Sequence, residues 1–303
     1  MFPVSDSSET IIRCLLKEAS TYNVAIMLNA DVKKLKKTGE QFQVELSDHR
    51  HLTADYICVA SGGYPKSSMF DWLKETGHTI EEPVPSLFTF NLPGHPIKEL
   101  MGISAENVKV KIQHSKLAES GSILITHWGL SGPAVLKLSA WGARELAKLN
   151  YEFVISINWL PDMNEQTLKE RFLLIRNDYA AQKVKGKNNI GLPGRLWEFL
   201  AAQSGVTETM RWAEMSSVVQ NKFIKNICNY ELQVKGKTTF KEEFVTAGGI
   251  KLSEIDHNTM MSKKVSNLYF AGEIIDVDGV TGGFNFQHAW TSGFIAAKSI
   301  AAG

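Results

Sequence analysis

Three cysteines in 303 residues, at positions 14, 58 and 228, never fall into a C-x-x-C spacing. That spacing excludes a dithiol redox centre and a cysteine-based zinc site, and it fits a reducing compartment. Cys14, Cys58 and Cys228 are each expected to be a small buried hydrophobe. Neither sign of charge dominates, with 33 Lys+Arg against 32 Asp+Glu, so no electrostatic footprint for nucleic acid is seen and none is expected as a partner. No apolar run reaches membrane-spanning length and no signal-peptide pattern opens the chain, so a soluble, cytoplasmic protein without a membrane partner is expected. The most informative absence is G-x-G-x-x-G: nowhere does it follow a strand and open a helix, and no acid stands at the matching distance downstream. Internal repeats and low-complexity runs are missing too.

What is present concentrates near the C-terminus. Leu268 to Ala271 is a short apolar run that reads as a buried strand, and it stops at Gly272-Glu273. A glycine loop with three acids, Glu273, Asp276 and Asp278, leads to Gly282-Gly283, after which Gln287 to Ala301 reads as a helix. Ala289, Gly293, Ala296 and Ala297 give that helix a face without bulk, where another backbone can approach closely. Strand, acidic glycine loop and helix start are the parts from which an open α/β sheet builds a crevice at its strand ends. Amide groups at the helix start favour electron-rich ligands, and glycines admit a flat or phosphorylated group. Read alone, the same residues equally describe a strand–loop–helix corner with solvated acids.

The segments Tyr269-Phe270-Ala271-Gly272-Glu273 and Asp276-Val277-Asp278-Gly279-Val280-Thr281-Gly282-Gly283-Phe284-Asn285 resemble the flavin-binding signature of the bacterial YhiN-like flavoproteins, commonly labelled NAD(P)/FAD-dependent or aminoacetone-oxidase-type oxidoreductases. Val245-Thr246-Ala247-Gly248-Gly249-Ile250 with Glu254-Ile255-Asp256 is similar to the segment before that signature, and Thr126-His127-Trp128-Gly129-Leu130-Ser131-Gly132-Pro133 to a central block. The resemblance spans nearly the whole chain. It implies FAD as cofactor, held by Ala60, Ser61, Gly62, Gly63, Thr246, Gly248, Gly249, Gly272, Glu273, Asp276, Gly282, Gly283, Phe284, Asn285 and Gln287. Within that set Glu273 is implied to contact the flavin's sugar-like chain, Gly282–Gln287 to face the reduced ring, and Thr246–Gly249 to line its edge. His288 is placed on the flavin side.

The order of elements agrees with an α/β class. A helix capped by Asp6 with Glu9 three residues on carries Ile11, Ile12, Leu15, Leu16 and Ala19 at helical spacing. Val24 to Leu28 reads as a short buried strand. Val32–Leu35, Phe42–Leu46 and Leu52–Tyr56 form an antiparallel meander, and Tyr56 to Ala60 is a strand ending in Ser61-Gly62-Gly63. From Pro83 to about Leu160 the pattern is β-rich, with alternation at Val108–Ile112 and a run at Phe153–Trp159. From Met163 to about Tyr230 it is helical, over Leu168–Tyr179, Leu196–Ala202 and Ser216–Ile227. The basic loop Lys183–Lys187 reads as a solvated turn. The expected architecture is an incomplete FAD-binding Rossmann-like domain of glutathione-reductase type (1–82 plus 241–303), a β-rich insert (83–160 plus 230–240) and a helical insert (161–229). The family's βαβ unit precedes a segment resembling Met1–Asp6, so the chain is expected to lack that N-terminal part.

Other chemistries fit less well. Gly129-Leu130-Ser131-Gly132-Pro133 departs from the G-x-S-x-G elbow, and Pro133 removes an N–H that an oxyanion hole wants. His127 is expected to be structural beside Trp128. His49 and His51 flank Arg50, too little for a metal site. Asp276-Val277-Asp278-Gly279 begins like a calcium loop but has no Glu at its twelfth position, so no metal is expected. The expectation is a flavin-dependent oxidoreductase of a small substrate, reduced by NAD(P)H. Without the pyrophosphate loop it forgoes about three charge-assisted hydrogen bonds worth ~1.5–3 kcal/mol each, or roughly a thousandfold in FAD affinity. The alternative is a non-catalytic scaffold that self-associates as a homo-oligomer or binds a protein partner through uncovered strand edges.

Overall fold

The computed structural model describes residues 3–186, 190–238 and 245–302. In chain order its elements begin with α1 (Ser8–Thr21), β1 (Val32–Thr38), β2 (Gln41–Leu46), β3 (His51–Ala54), β4 (Ile57–Val59) and α2 (Asp71–Lys74). There follow β5 (Ile80–Ser86), β6 (Thr89–Asn91), β7 (Ser104–Ile112), β8 (Ala118–Ile125), β9 (Gly129–Ser131), α3 (Pro133–Trp141) and α4 (Ala143–Lys148). Next are β10 (Glu152–Asn158), α5 (Glu165–Asp178), α6 (Gly194–Gln203), α7 (Ser217–Cys228), β11 (Tyr230–Lys235) and β12 (Lys237–Thr238). The last are β13 (Val245–Ile250), β14 (Leu268–Phe270) and α8 (Phe284–Ala302). Two units result: Met1–Glu81 with Gly249–Asp276 and Gly283–Gly303, and Glu82–Gly248 with Val277–Gly282. Met1, Phe2, residues 187–189 and 239–244, and Gly303 lie outside the described residues, Lys187 of the basic loop among them.

In the first unit the meander forms as its alternation predicts. β2 pairs antiparallel with β1 and β3, Val44 facing Leu35 and Leu52, and Phe42, Val44 and Leu46 turn into the unit. β4 and β14 run parallel, with Ile57 beside Leu268 and Val59 beside Phe270. Parallel strands are stable where both faces are covered, which is why β14 is wholly apolar and wholly buried.

The N-terminal elements depart from expectation. Asp6 does not cap α1: it sits at φ 49°, and Ser7 occupies the cap position without a side-chain bond. Val24–Leu28 is not a strand, and Val24, Ile26, Met27 and Leu28 are exposed. A strand needs a neighbour for its amides and a layer for its side chains. Among the described residues no strand pairs with this segment, although β1 and β4 are edge strands. No residue of α1 is buried, although Ile11, Ile12, Leu15 and Leu16 make the expected stripe.

The second unit is built on a seven-stranded sheet in the order β11-β10-β7-β8-β9-β6-β12. Val108, Val110 and Ile112 turn into the core while Lys109 and Lys111 face out, as period-two patterning requires. The expected β-rich stretch also contains two helices, α3 and α4. Pro133 stands at the first position of α3, where a missing N–H costs nothing, and Ala134, Val135 and Leu138 are buried. Gly129 lets β9 close on β6, since a Cβ there would lie 2.1 Å from the Phe90 carbonyl oxygen. The helical pattern of 163–230 gives α5, α6 and α7, which surround Phe172, Trp197, Trp212 and Phe223. Trp197 lies 4.6 Å from Phe223 between ring centres, and Phe172 5.3 Å edge-on to Trp212. Asn164 and Thr167 form a capping box that starts α5. The basic loop is less solvated than expected, for Val184 is fully buried and Lys185 pairs with Glu208.

Candidate functional site

Parallel pairing of β4 with β14 brings two glycine corners side by side in the first unit. β4 runs out into Ala60-Ser61-Gly62-Gly63 and β14 into Ala271-Gly272-Glu273, and the Ala271 amide donates to the Val59 carbonyl at 3.0 Å. A Cβ on Gly63 would stand 2.9 Å from the Glu273 carboxyl carbon and Oε1. The Glu273 carboxylate therefore lies directly over the backbone that leaves β4, and it does so because residue 63 has no side chain.

A third segment closes the corner. Gly249, at φ +135°, passes so close to the next turn that a Cβ would meet the Ile274 carbonyl oxygen at 2.4 Å. The Asp276 amide donates to the Ile250 carbonyl at 3.0 Å. α8 seats itself on the same turn. The Gly272 amide donates to Ser292 Oγ at 2.9 Å and Ser292 Oγ donates back to the His288 carbonyl at 2.7 Å, while Ala289 lies under Gly272. The helix opens at Phe284, three residues before the expected Gln287, with the Gln287 amide bonded to the Gly283 carbonyl at 2.9 Å. His288 carries a ring nitrogen, Nε2, that is buried and has no partner among the described residues.

Behind the corner a buried polar network holds the strands in place. Thr76 Oγ1 donates to the Leu73 carbonyl at 2.7 Å, so it accepts from His78 Nδ1 at 2.7 Å. Ser262 Oγ accepts from the amides of Lys264 and Val265, leaving its proton for His78 Nε2 at 2.7 Å. This pattern requires a neutral imidazole, and burial holds His78 below its ordinary pKa, with Lys264 adding to that and Glu254 opposing it. Burial alone would raise Glu254. Hydrogen bonds from Lys264 Nζ at 2.6 Å and from the Thr79 amide at 2.8 Å overcome it and set the carboxyl at about 2.

A cavity of about 460 Å³ opens between the meander and β4, within the range that small ligands occupy. Leu35, Val44, Ile57 and Val59 line it with Ala60 and Ser61, and so do Asp31 and Trp72, which the sequence reading passed over. Nothing in the periodicity marks those two, since they join the wall only when the meander folds over β4.

Of the residues singled out from the sequence, Ala60, Ser61, Gly62, Gly63, Gly249, Gly272, Glu273, Asp276, Gly283, Phe284, Asn285 and Gln287 belong to the first unit. Thr246, Gly248 and Gly282 belong to the second, the first two buried and Gly282 exposed. None of the three cysteines is buried as expected: Cys14 and Cys58 are exposed and Cys228 is half-buried. Cys14 shares the uncovered position of α1, and Cys58 points away from Val59, the residue of β4 that enters the core. His127 is exposed, its ring 4.6 Å from that of Trp128.

Comparison with known proteins adds the decisive observation. The family model described as "HI0933-like protein Rossmann domain" matches residues 1–299. The chain belongs to this family. Its α/β architecture is therefore that of a Rossmann-type domain with additions. The chain is 30% identical to a ribosomal RNA dihydrouridine synthase of Escherichia coli (strain K12), across 98% of its own length and 73% of that protein's. It is 26% identical to a 3-dehydro-bile acid delta(4,6)-reductase of Clostridium scindens, across 99% of its own length and 75% of the other's. A ribosomal RNA dihydrouridine synthase of Haemophilus influenzae is 28% identical across 97% and 73%. Among the described residues no helix is long and apolar enough to cross a membrane.

Proposed function

We propose that this chain is the flavin-holding part of an FAD-dependent reductase that saturates a carbon–carbon double bond conjugated to a carbonyl, with NAD(P)H as electron donor. Two differently named relatives support the bond type. Dihydrouridine is uridine with its ring double bond reduced, and a delta(4,6)-reductase of a 3-dehydro bile acid acts on double bonds in line with a ketone. The observation that carries the reading is the carboxylate of Glu273 laid over Gly63 at the ends of two paired parallel strands, where open α/β sheets bind their ligands.

The residues present fit the hydroxyl-bearing part of such a cofactor. Glu273 accepts hydrogen bonds from its sugar-like chain, Gly62 and Gly63 admit it to the backbone, and the start of α8 from Gly283 to Gln287 favours negative charge on the ring system. Asp276 and Gly249, in the same unit, complete the lining by family likeness. A bound flavin supplies the hydride chemistry that no side chain here offers. The chain has no G-x-G-x-x-G for the pyrophosphate, so we infer an affinity for FAD about a thousandfold below that of a chain with one. Titration of the purified protein with FAD, followed by flavin fluorescence, tests both parts. Weak binding that Glu273→Gln weakens a further tenfold is the expected result. A stoichiometric yellow complex that survives purification overturns the weak binding, and indifference to Glu273→Gln overturns the placement.

A second reading, a scaffold that associates through uncovered surface, draws on the exposed stripe of α1 and on Phe284, Phe286, Trp290 and Phe294 exposed along α8. Light scattering after size exclusion decides it, a monodisperse monomer counting against association.

A further inference from the structure

We propose that the second unit carries a recognition patch for a flat unsaturated ring bearing a carbonyl, of the uracil type, built from Trp128 and the side-chain amide of Asn91. The patch rests on the reductase reading only for what is done to that ring. Its residues all belong to the second unit, and none is among those that the family likeness gives to the flavin. Trp128 is 45% exposed, and the exposed His127 ring stands 4.6 Å from it, tilted by 44°. On a loose loop such an indole would be an ordinary surface residue. This loop is tied down. Thr126 Oγ1 accepts from the amides of Trp128 and Gly129 at 3.3 and 3.2 Å. The Thr126 amide donates to the Gly129 carbonyl at 2.8 Å, and the Leu92 amide, just past β6, donates to the Trp128 carbonyl at 2.9 Å. A ring that stacks on an aromatic face held in this way loses little to the ordering of the loop.

The polar partner comes from the neighbouring strand. Asn91 ends β6 opposite Gly129 of β9, and its backbone amide donates to the Gly236 carbonyl at 3.2 Å, so a glycine flanks it on either side. Thr238 Oγ1 donates to Asn91 Oδ1 at 2.9 Å. That bond occupies the acceptor end of the side chain and leaves Nδ2, with two N–H groups, without a partner among the described residues. A Cβ on Gly236 would meet nothing within 4 Å beyond its chain neighbours except that Nδ2, at 3.9 Å, so the space beside the amide is open. An amide that can only donate selects a ring carbonyl, and the indole next to Gly129 offers a face to a flat π system. A ring with an amino group in place of the carbonyl sets donor against donor and is disfavoured.

The experiment uses the whole chain without flavin. Uridine and cytidine, which carry a carbonyl and an amino group respectively at the same ring position, are titrated and followed by saturation-transfer NMR. Trp128→Ala is an exposed replacement, and Asn91→Asp keeps the acceptor for Thr238 while removing the donors. Circular dichroism checks the folding of each variant. The expected result is saturation of the uridine ring protons ahead of the ribose protons. Trp128→Ala should weaken binding about tenfold and Asn91→Asp about fivefold. Uridine should bind better than cytidine, and Thr238→Val, which frees the Asn91 amide to turn over, should narrow that preference. No uridine binding, equal binding of uridine and cytidine by the parent protein, or binding that either Trp128→Ala or Asn91→Asp leaves unchanged overturns the proposal. FAD binding without uridine binding leaves the reductase reading standing and overturns the patch, whereas uridine binding in a chain that never takes up FAD overturns the reductase reading alone.

Discussion

Two alanine substitutions at the glycine corner separate a tight contact that yields from one that does not. In Gly63→Ala the new methyl would stand 2.9 Å from Cδ and Oε1 of Glu273 and 3.0 Å from its Cγ. All three atoms lie toward the end of a rotatable side chain, so the acid swings aside at a cost of about 0.5–1.5 kcal/mol, that of an off-rotamer angle. What is lost is its position. One charge-assisted hydrogen bond is worth about 1.5–3 kcal/mol, so FAD affinity should fall ten- to hundredfold while the fold persists. In Gly249→Ala the methyl would meet backbone instead, 2.4 Å from the Ile274 carbonyl oxygen and 3.1 Å from the Ile275 carbonyl carbon, at a φ of +135°. Strain of about 1–3 kcal/mol and overpacking of about 1–3 kcal/mol add to about 2–6 kcal/mol. Urea denaturation followed by far-ultraviolet circular dichroism measures stability, and FAD titration measures the site. If Gly63→Ala unfolds as readily as Gly249→Ala, or binds FAD as the parent does, the placement of Glu273 over Gly63 is wrong.

The polar network behind the corner gives two losses of stability on acidification, in different pH ranges. Glu254 titrates near 2 when folded against 4.5 when unfolded, so its contribution is complete above 4.5 and is lost as pH falls toward 2. Glu254→Gln should cost about 1.5–3 kcal/mol at pH 7 and much less at pH 2.5, read from denaturation midpoints at each pH. His78 is held neutral below its ordinary 6.5. The folded state thus binds fewer protons, and stability drops as pH falls below 6.5. His78→Gln should flatten the slope of thermal midpoint between pH 7 and 5, and an unchanged slope would show that another group carries it.

Period and composition were enough to define the meander, the buried β14, the alternating β7 and the helices α5 to α7, because each of those patterns is local and each face finds its layer. The acid-and-glycine run after Phe270 was likewise legible as the turn between a buried strand and a helix, and its use as a ligand corner is our proposal. The sequence was silent on whether a neighbour would be available. Val24–Leu28 has a strand's composition and α1 a helix's stripe, but pairing and burial belong to the element on the other side, and among the described residues none covers them. Only the folded chain brings Gly63, 210 residues away in sequence, under Glu273. It does so because parallel strands must be paired across a long crossover, and no local pattern encodes which strand that will be.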